Sequence, residues 1–143
     1  MKRVWDFENH ADSIAITGMN GETLTYTELS ALSGSLFGSD KSPGLVLMLS
    51  ANTIGAIAGY AAALYASHPV MLLSSELSHD LIKHVLKTYR PPFLMIPGKL
   101  LSDYPNMKIM GQCFDYTLLL TNYPPADINP ELAVRLSTSG STG

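Results

Sequence analysis

The chain has one cysteine, Cys113, in 143 residues. It closes no disulfide within itself, and that usage suits a reducing compartment. A catalytic thiol needs a base partner, and the sequence offers none for Cys113, which is expected to be buried or incidental. Charge is scarce too. Only 15% of residues are charged, the formal net charge is −3, and no block of lysine or arginine occurs. This speaks against nucleic acid and against an anionic membrane as partners. A bilayer span needs about 20 apolar residues, and the longest apolar stretch, "IGAIAGYAAALYA" (54–66), is too short. The opening "MKRVWDFENH" lacks an apolar core, so it is no signal peptide. The expectation is a soluble, cytoplasmic protein. His10, His68, His79 and His84 lack metal-ligand spacing, and surface or capping roles are expected for all of them.

Apolar residues are plentiful, at 46%. That is too many for a disordered chain and enough for one core in a domain of ordinary size. The runs "GLVLMLSA" (44–51), "HPVMLL" (68–73), "FLMIP" (93–97) and "YTLLLT" (116–121) predict strands, the first covered on both faces. "LAVRL" (132–136) alternates Leu132, Val134 and Leu136 against Ala133 and Arg135. Between the runs lie helical patterns. Thr25 and Glu28 form a capping box, in which each side chain accepts from the other's backbone N–H, and Leu29, Leu32 and Leu36 follow on one face. Ile54, Ile57, Ala58, Ala61, Leu64 and Tyr65 mark a second helix with Asn52 as its N-cap. Gly55, Gly59, Ala62 and Ala63 keep its other faces small. Each glycine costs about 1 kcal/mol of helix propensity, which close packing must offset. Ser78 caps a third helix, with Leu81, Ile82, Val85, Leu86 and Tyr89 on one face and Arg90-Pro91-Pro92 as its stop.

"DSIAITG" followed by Asn20-Gly21 predicts an N-terminal hairpin returning through Leu24, with Trp5 and Phe7 packed on it. Residues 98–112 show no pattern and are expected to be irregular. Residues 122–130 form a proline-rich connection, flanked by Asp127 and Glu131 in solvent. Strands alternating with helices imply right-handed βαβ units. The expected fold is one α/β domain over residues 1–143. It has an open, doubly wound, largely parallel sheet flanked by helices and a small N-terminal β-hairpin.

In such sheets ligands bind beyond the carboxyl ends of the strands. "STSGSTG" (137–143) directly follows a predicted strand. Gly140 and Gly143 open backbone angles closed to other residues, so that successive N–H groups can converge on an anion. Ser137, Thr138, Ser139, Ser141 and Thr142 add hydroxyls without bulk. By composition alone the stretch reads first as a flexible linker. A Walker loop is excluded, since it needs G-x-x-x-x-G-K-[ST]. Arg135, beside the loop, is expected to be solvated or ion-paired rather than bound to phosphate.

"LAVRLSTSGSTG" resembles the phosphate-loop signature of the adenylate-forming superfamily, the group of acyl-CoA synthetases, aryl-CoA ligases, luciferases and peptide-synthetase adenylation domains. Thr138, Ser139, Gly140, Ser141, Thr142 and Gly143 match its [ST]-S-G-[ST]-T-G. "LTYTEL" (24–29) is similar to the family's L-[TS]-Y-x-E-L, and residues 51–80 resemble its intervening helix–strand segment. The likeness spans nearly the whole chain.

The resemblance implies an ATP-dependent carboxylate–thiol ligase. A carboxylate attacks the α-phosphate of Mg-ATP to give an acyl-adenylate and pyrophosphate, and the thiol of CoA or of a carrier phosphopantetheine then takes the acyl group. Residues 138–143 would hold the β- and γ-phosphates. Family members are several times longer. The lysine after the loop, the magnesium glutamate, the ribose aspartate and the C-terminal catalytic lysine have no counterpart in this chain. The chain is therefore expected to be an N-terminal piece, inactive alone and without bound ATP or magnesium. Apolar surface left uncovered is expected to drive self-association, as a twofold homodimer. Two other readings stand beside it, a non-catalytic α/β interaction module and a nucleotide-binding regulator.

Overall fold

The computed structural model describes residues 13–18, 21–38, 44–121 and 134–136. Strands β1 (Ile14–Thr17) and β2 (Thr23–Thr25) pair antiparallel, as expected. Gly21 takes φ +86° at the turn, a conformation open to glycine at little cost. Helix α1 (Tyr26–Phe37) starts on the expected capping box. The Glu28 N–H donates to Thr25 Oγ1 at 3.2 Å, and the Thr25 N–H donates to Glu28 Oε1 at 3.1 Å. Then come β3 (Val46–Ser50), α2 (Ile54–Tyr65), β4 (Val70–Ser74), α3 (His79–Tyr89) and β5 (Phe93–Pro97). A 3-10 helix (Gly98–Asp103), β6 (Lys108–Cys113), β7 (Tyr116–Leu120) and β8 (Val134–Leu136) complete the order.

The second sheet is six-stranded, in the order β6-β7-β5-β3-β4-β8. Strands β5, β3, β4 and β8 run parallel, and β7 and β6 form an antiparallel edge. The continuous apolar runs are explained by the helices on both faces. Val46, Met48, Val70, Phe93, Met95 and Leu118 pack under α1 and α2. The alternate residues Leu47, Leu49, Met71, Leu73, Leu94 and Ile96 pack under Ile82 and Leu86 of α3. The fold class expected from the sequence, an open sheet with helices on both faces and a small hairpin, is the one observed.

Several expectations are corrected. Residues 98–112 are not irregular, since they hold the 3-10 helix and most of β6. Edge strand β6 has a register shift between Ile109 and Gly111 and is largely exposed, so it shows no alternation to read. The N-cap of α2 is Thr53, not Asn52. Thr53 has extended backbone angles, and its Oγ1 accepts from the Ala56 N–H at 3.3 Å. On α2, Ile54, Ala58 and Leu64 are buried as the spacing predicts, but Ile57 is 52% exposed, and the small-residue side of Gly55, Gly59, Ala62 and Ala63 is buried as well. Two layers press on that small-residue side. Ser33 Oγ of α1 donates to the Ala62 carbonyl at 2.8 Å, and Met48 and Met95 of the sheet lie against Gly59. On α3, Leu81 faces solvent.

His68 is neither at the surface nor a cap. It is 1% exposed, with its ring between Phe37 (centroids 4.8 Å apart) and Phe93 (5.0 Å). His79, at the start of α3, sets its ring edge-on to Tyr104, and His84 is exposed. Trp5, Phe7, His10, Asp127, Glu131 and the connection 122–130 lie outside the described residues. Among the described residues no helix is long and apolar enough to cross a membrane.

Candidate functional site

Strand β3 ends at Ser50, and the chain turns to α2 on one face of the sheet. Its parallel neighbour β4 ends at Ser74, in register with Ser50, and the chain turns to α3 on the opposite face. The two connections diverge, and a crevice opens between them. This is the topological switch point at which open α/β sheets bind ligands. The crevice has a volume of about 360 Å³ and is lined by Ser50, Ala51, Asn52, Ser74, Ser75 and Glu76.

Backbone bonds tie its walls together. The Ser75 N–H donates to the Ser50 carbonyl at 3.0 Å, and Ser50 Oγ donates to the Leu73 carbonyl at 3.2 Å. The Glu76 N–H donates to Ser74 Oγ at 3.1 Å, turning the chain toward α3. The Asn52 amide, the Ser75 hydroxyl and the Glu76 carboxylate make no hydrogen bond among the described residues, so they are available to a ligand. Among the described residues no lysine or arginine lines the crevice, and Glu76 is the one charged lining residue. Hydroxyls, an amide and a carboxylate suit a polar, hydrogen-bonding ligand. A phosphate there needs further donors or a cation.

The residues expected to supply those donors, Thr138, Ser139, Gly140, Ser141, Thr142 and Gly143, lie outside the described residues. What the structure does place is the strand before them. Strand β8 pairs parallel with β4, and Leu136 stands opposite Leu72, two residues before Ser74. β8 thus points toward the end of the sheet at which β3 and β4 close on their serines.

The crevice residues were missed as site residues in the sequence. The available signal was a pair of similar strands, "VLMLS" (46–50) and "VMLLS" (70–74), each closing on a serine where its apolar run stops. Among the described residues two other concavities are of similar size. One, of about 430 Å³, lies among Leu24, Leu32 and Phe114, and the other, of about 380 Å³, among Lys83, Tyr104 and Met107. Neither lies at the carboxyl ends of the parallel strands.

Cys113 is buried, as expected, and its thiol donates to the Gly55 carbonyl at 3.8 Å. Burial first, then the Asp115 carboxylate, pushes that thiol up to about 12, which removes it as a nucleophile. Among the described residues no group of three or more histidine, cysteine or acidic side chains is arranged to hold a metal ion.

No family model matches the chain, and no curated protein is similar to it. This corrects the membership of the adenylate-forming superfamily expected from "LTYTEL" and "STSGSTG". Short stretches of small, hydroxyl-bearing residues also occur in linkers and caps, and here they do not add up to a family match. The likeness that remains is one of fold. The structure is similar to that of the luciferase-like enzyme from the nonluminescent Zophobas morio mealworm, at 24% identity and a TM-score of 0.55, covering 67% of this chain. It also matches the crystal structure of IdnL1 at 18% identity and a TM-score of 0.42, covering 55% of this chain and 17% of that one. The chain spans 24% of the length of the mealworm enzyme.

Proposed function

We propose that this chain contributes the phosphate-holding end of an ATP-dependent carboxylate–thiol ligase. In the proposed reaction a carboxylate oxygen attacks the α-phosphorus of magnesium-bound ATP. The bond to the bridging oxygen breaks, leaving acyl-AMP and pyrophosphate. A thiol of CoA or of a phosphopantetheine carrier then displaces AMP to give the thioester. Such chemistry rests on positioning and on charge stabilisation rather than on a protein nucleophile. The observation that carries the reading is the polar switch-point crevice, with β8 running parallel to β4 and followed in sequence by the hydroxyl- and glycine-rich residues 137–143.

The test is a titration of isotope-labelled chain with magnesium pyrophosphate and with magnesium ATP, followed through backbone amide shifts. Shifts concentrated at Ser50, Asn52, Ser75 and the 137–143 amides are expected. Saturating ligand that leaves those amides unmoved removes the reading.

One observation favours a second reading. Among the described residues the only charged one lining the crevice is the anion Glu76, which suits a non-catalytic module taking a neutral or cationic polar ligand. Absence of any phosphate binding, together with amide shifts at the crevice on adding a polyol or an amine, would favour it.

A further inference from the structure

We infer that Tyr116 is a positioning residue for the β3–β4 crevice, holding its Ser50 wall from beneath; this rests on the reading of the crevice as the ligand site. Tyr116 opens β7, which is separated from β3 by β5, and its side chain is 1% exposed. Its hydroxyl donates to the Leu49 carbonyl at 2.6 Å, and the Ala51 backbone N–H faces the phenol oxygen and offsets part of the rise in its pKa. The residues on either side of Ser50 are thus tied to one phenol. Ser50 in turn holds the opposite wall, accepting from the Ser75 N–H and donating to the Leu73 carbonyl. One hydroxyl therefore fixes the residue that joins the two walls.

The ring cannot easily retreat. Gly55, at the start of α2, leaves space for only a hydrogen between its Cα and the ring. Burial and the Asp115 carboxylate push the phenol up to about 12, so it keeps its proton and remains a donor across the neutral range. A tyrosine that merely fills the core would need the ring and not the hydroxyl. Here the hydroxyl sits where β3 hands over to the crevice loop.

The test compares Tyr116→Phe, which keeps the ring, with Ser33→Ala. The latter deletes another buried side-chain bond to a carbonyl, at 2.8 Å to Ala62, between α1 and α2. Native-state amide exchange is read at Ala51, and magnesium pyrophosphate affinity is read by amide shifts. Y116F is expected to speed exchange at Ala51 at least tenfold more than S33A does, and to weaken pyrophosphate at least tenfold while S33A leaves it unchanged. Unchanged protection at Ala51 in Y116F overturns the inference. So does unchanged affinity in Y116F when the unmodified chain binds. If the unmodified chain binds no pyrophosphate, the ligase reading falls, and the exchange at Ala51 alone decides whether Tyr116 sets the wall. If Y116F does not fold, Gly55→Ala, which presses on the ring and keeps the hydroxyl, takes its place with the same expected exchange.

Discussion

Gly55 of α2 and Tyr116 of β7 meet so closely that a β-carbon on Gly55 would stand 3.0 Å from Tyr116 Cδ1 and 3.0 Å from the Cys113 carbonyl oxygen. Glycine thus fits this position where a larger residue would collide, which offsets its poor helix propensity. Gly34, in α1, is the opposite case, with nothing within 4 Å of an added β-carbon. Gly55→Ala should destabilise the fold by about 1–3 kcal/mol through overpacking. Gly34→Ala should stabilise it by about 0.5–1 kcal/mol through helix propensity alone. Urea denaturation of both variants checks the pair, and a shift of the same sign in each would defeat the packing argument.

Phe114 is the first residue of the β6–β7 hairpin loop and holds φ +56° while 51% exposed. A non-glycine residue there carries backbone strain of about 1 kcal/mol. Replacing it removes the ring as well as the strain, so two variants are needed to separate them. Both Phe114→Ala and Phe114→Gly lose the ring, and only the glycine variant relaxes the backbone. The glycine variant should therefore be the more stable by about 1 kcal/mol, the reverse of the usual surface ranking. Alanine equal to or better than glycine in thermal melts would refute the strain.

How much of this was legible beforehand depends on how local each cause is. Strands β3, β4, β5 and β7 announced themselves because burial on both faces leaves only apolar residues to choose from. The capping box of α1 was legible because its two residues answer each other across a single turn. β6 was not, since half of an edge strand faces water and its bulge breaks the period. The buried side of α2 was misjudged at Ile57 because the decision lies with Met48, Met95 and Ser33, all distant in sequence. The crevice was hidden for the same reason. Ser50 and Ser74 look like ordinary strand ends until the parallel register sets them side by side. Residues 138–143, the part of the expected site most conspicuous in the sequence, lie outside the described residues.

His68 joins two aromatic rings to a backbone group. Its Nδ1 lies 3.0 Å from the Gly44 nitrogen and 3.1 Å from the Gly44 oxygen, so either tautomer finds a partner. His68→Ala should remove the ring stack and leave a buried Gly44 polar group unpaired, for a loss of about 2–4 kcal/mol. His68→Phe keeps the ring volume and loses only the polar partner, so its loss should be smaller, about 1–3 kcal/mol. A His68→Phe variant as stable as the unmodified chain, measured by chemical denaturation, would show that the Gly44 contact adds nothing, and equal losses in the two variants would show that the ring adds nothing.

Cys113 makes alkaline stability measurable through one group. In the unfolded chain its thiol ionises near its ordinary value of 9.0, and in the folded protein it is held up to about 12. The folded state therefore keeps a proton that the unfolded state loses. The thiol's contribution is complete below pH 9 and is lost as pH rises from there toward 12. Tyr116 adds a similar loss beginning one unit later, from its ordinary value of 10.0 toward about 12. The urea midpoint of the unmodified chain should hold level up to about pH 9 and then fall. In Cys113→Ala, which has no thiol to ionise, the decline should begin nearer pH 10, where Tyr116 starts to act. The same burial predicts that the native thiol resists a disulfide reagent at pH 8 and reacts at once in denaturant. Onset of the decline at the same pH in both proteins, or rapid labelling of the native thiol, would show that Cys113 is not held as the structure describes.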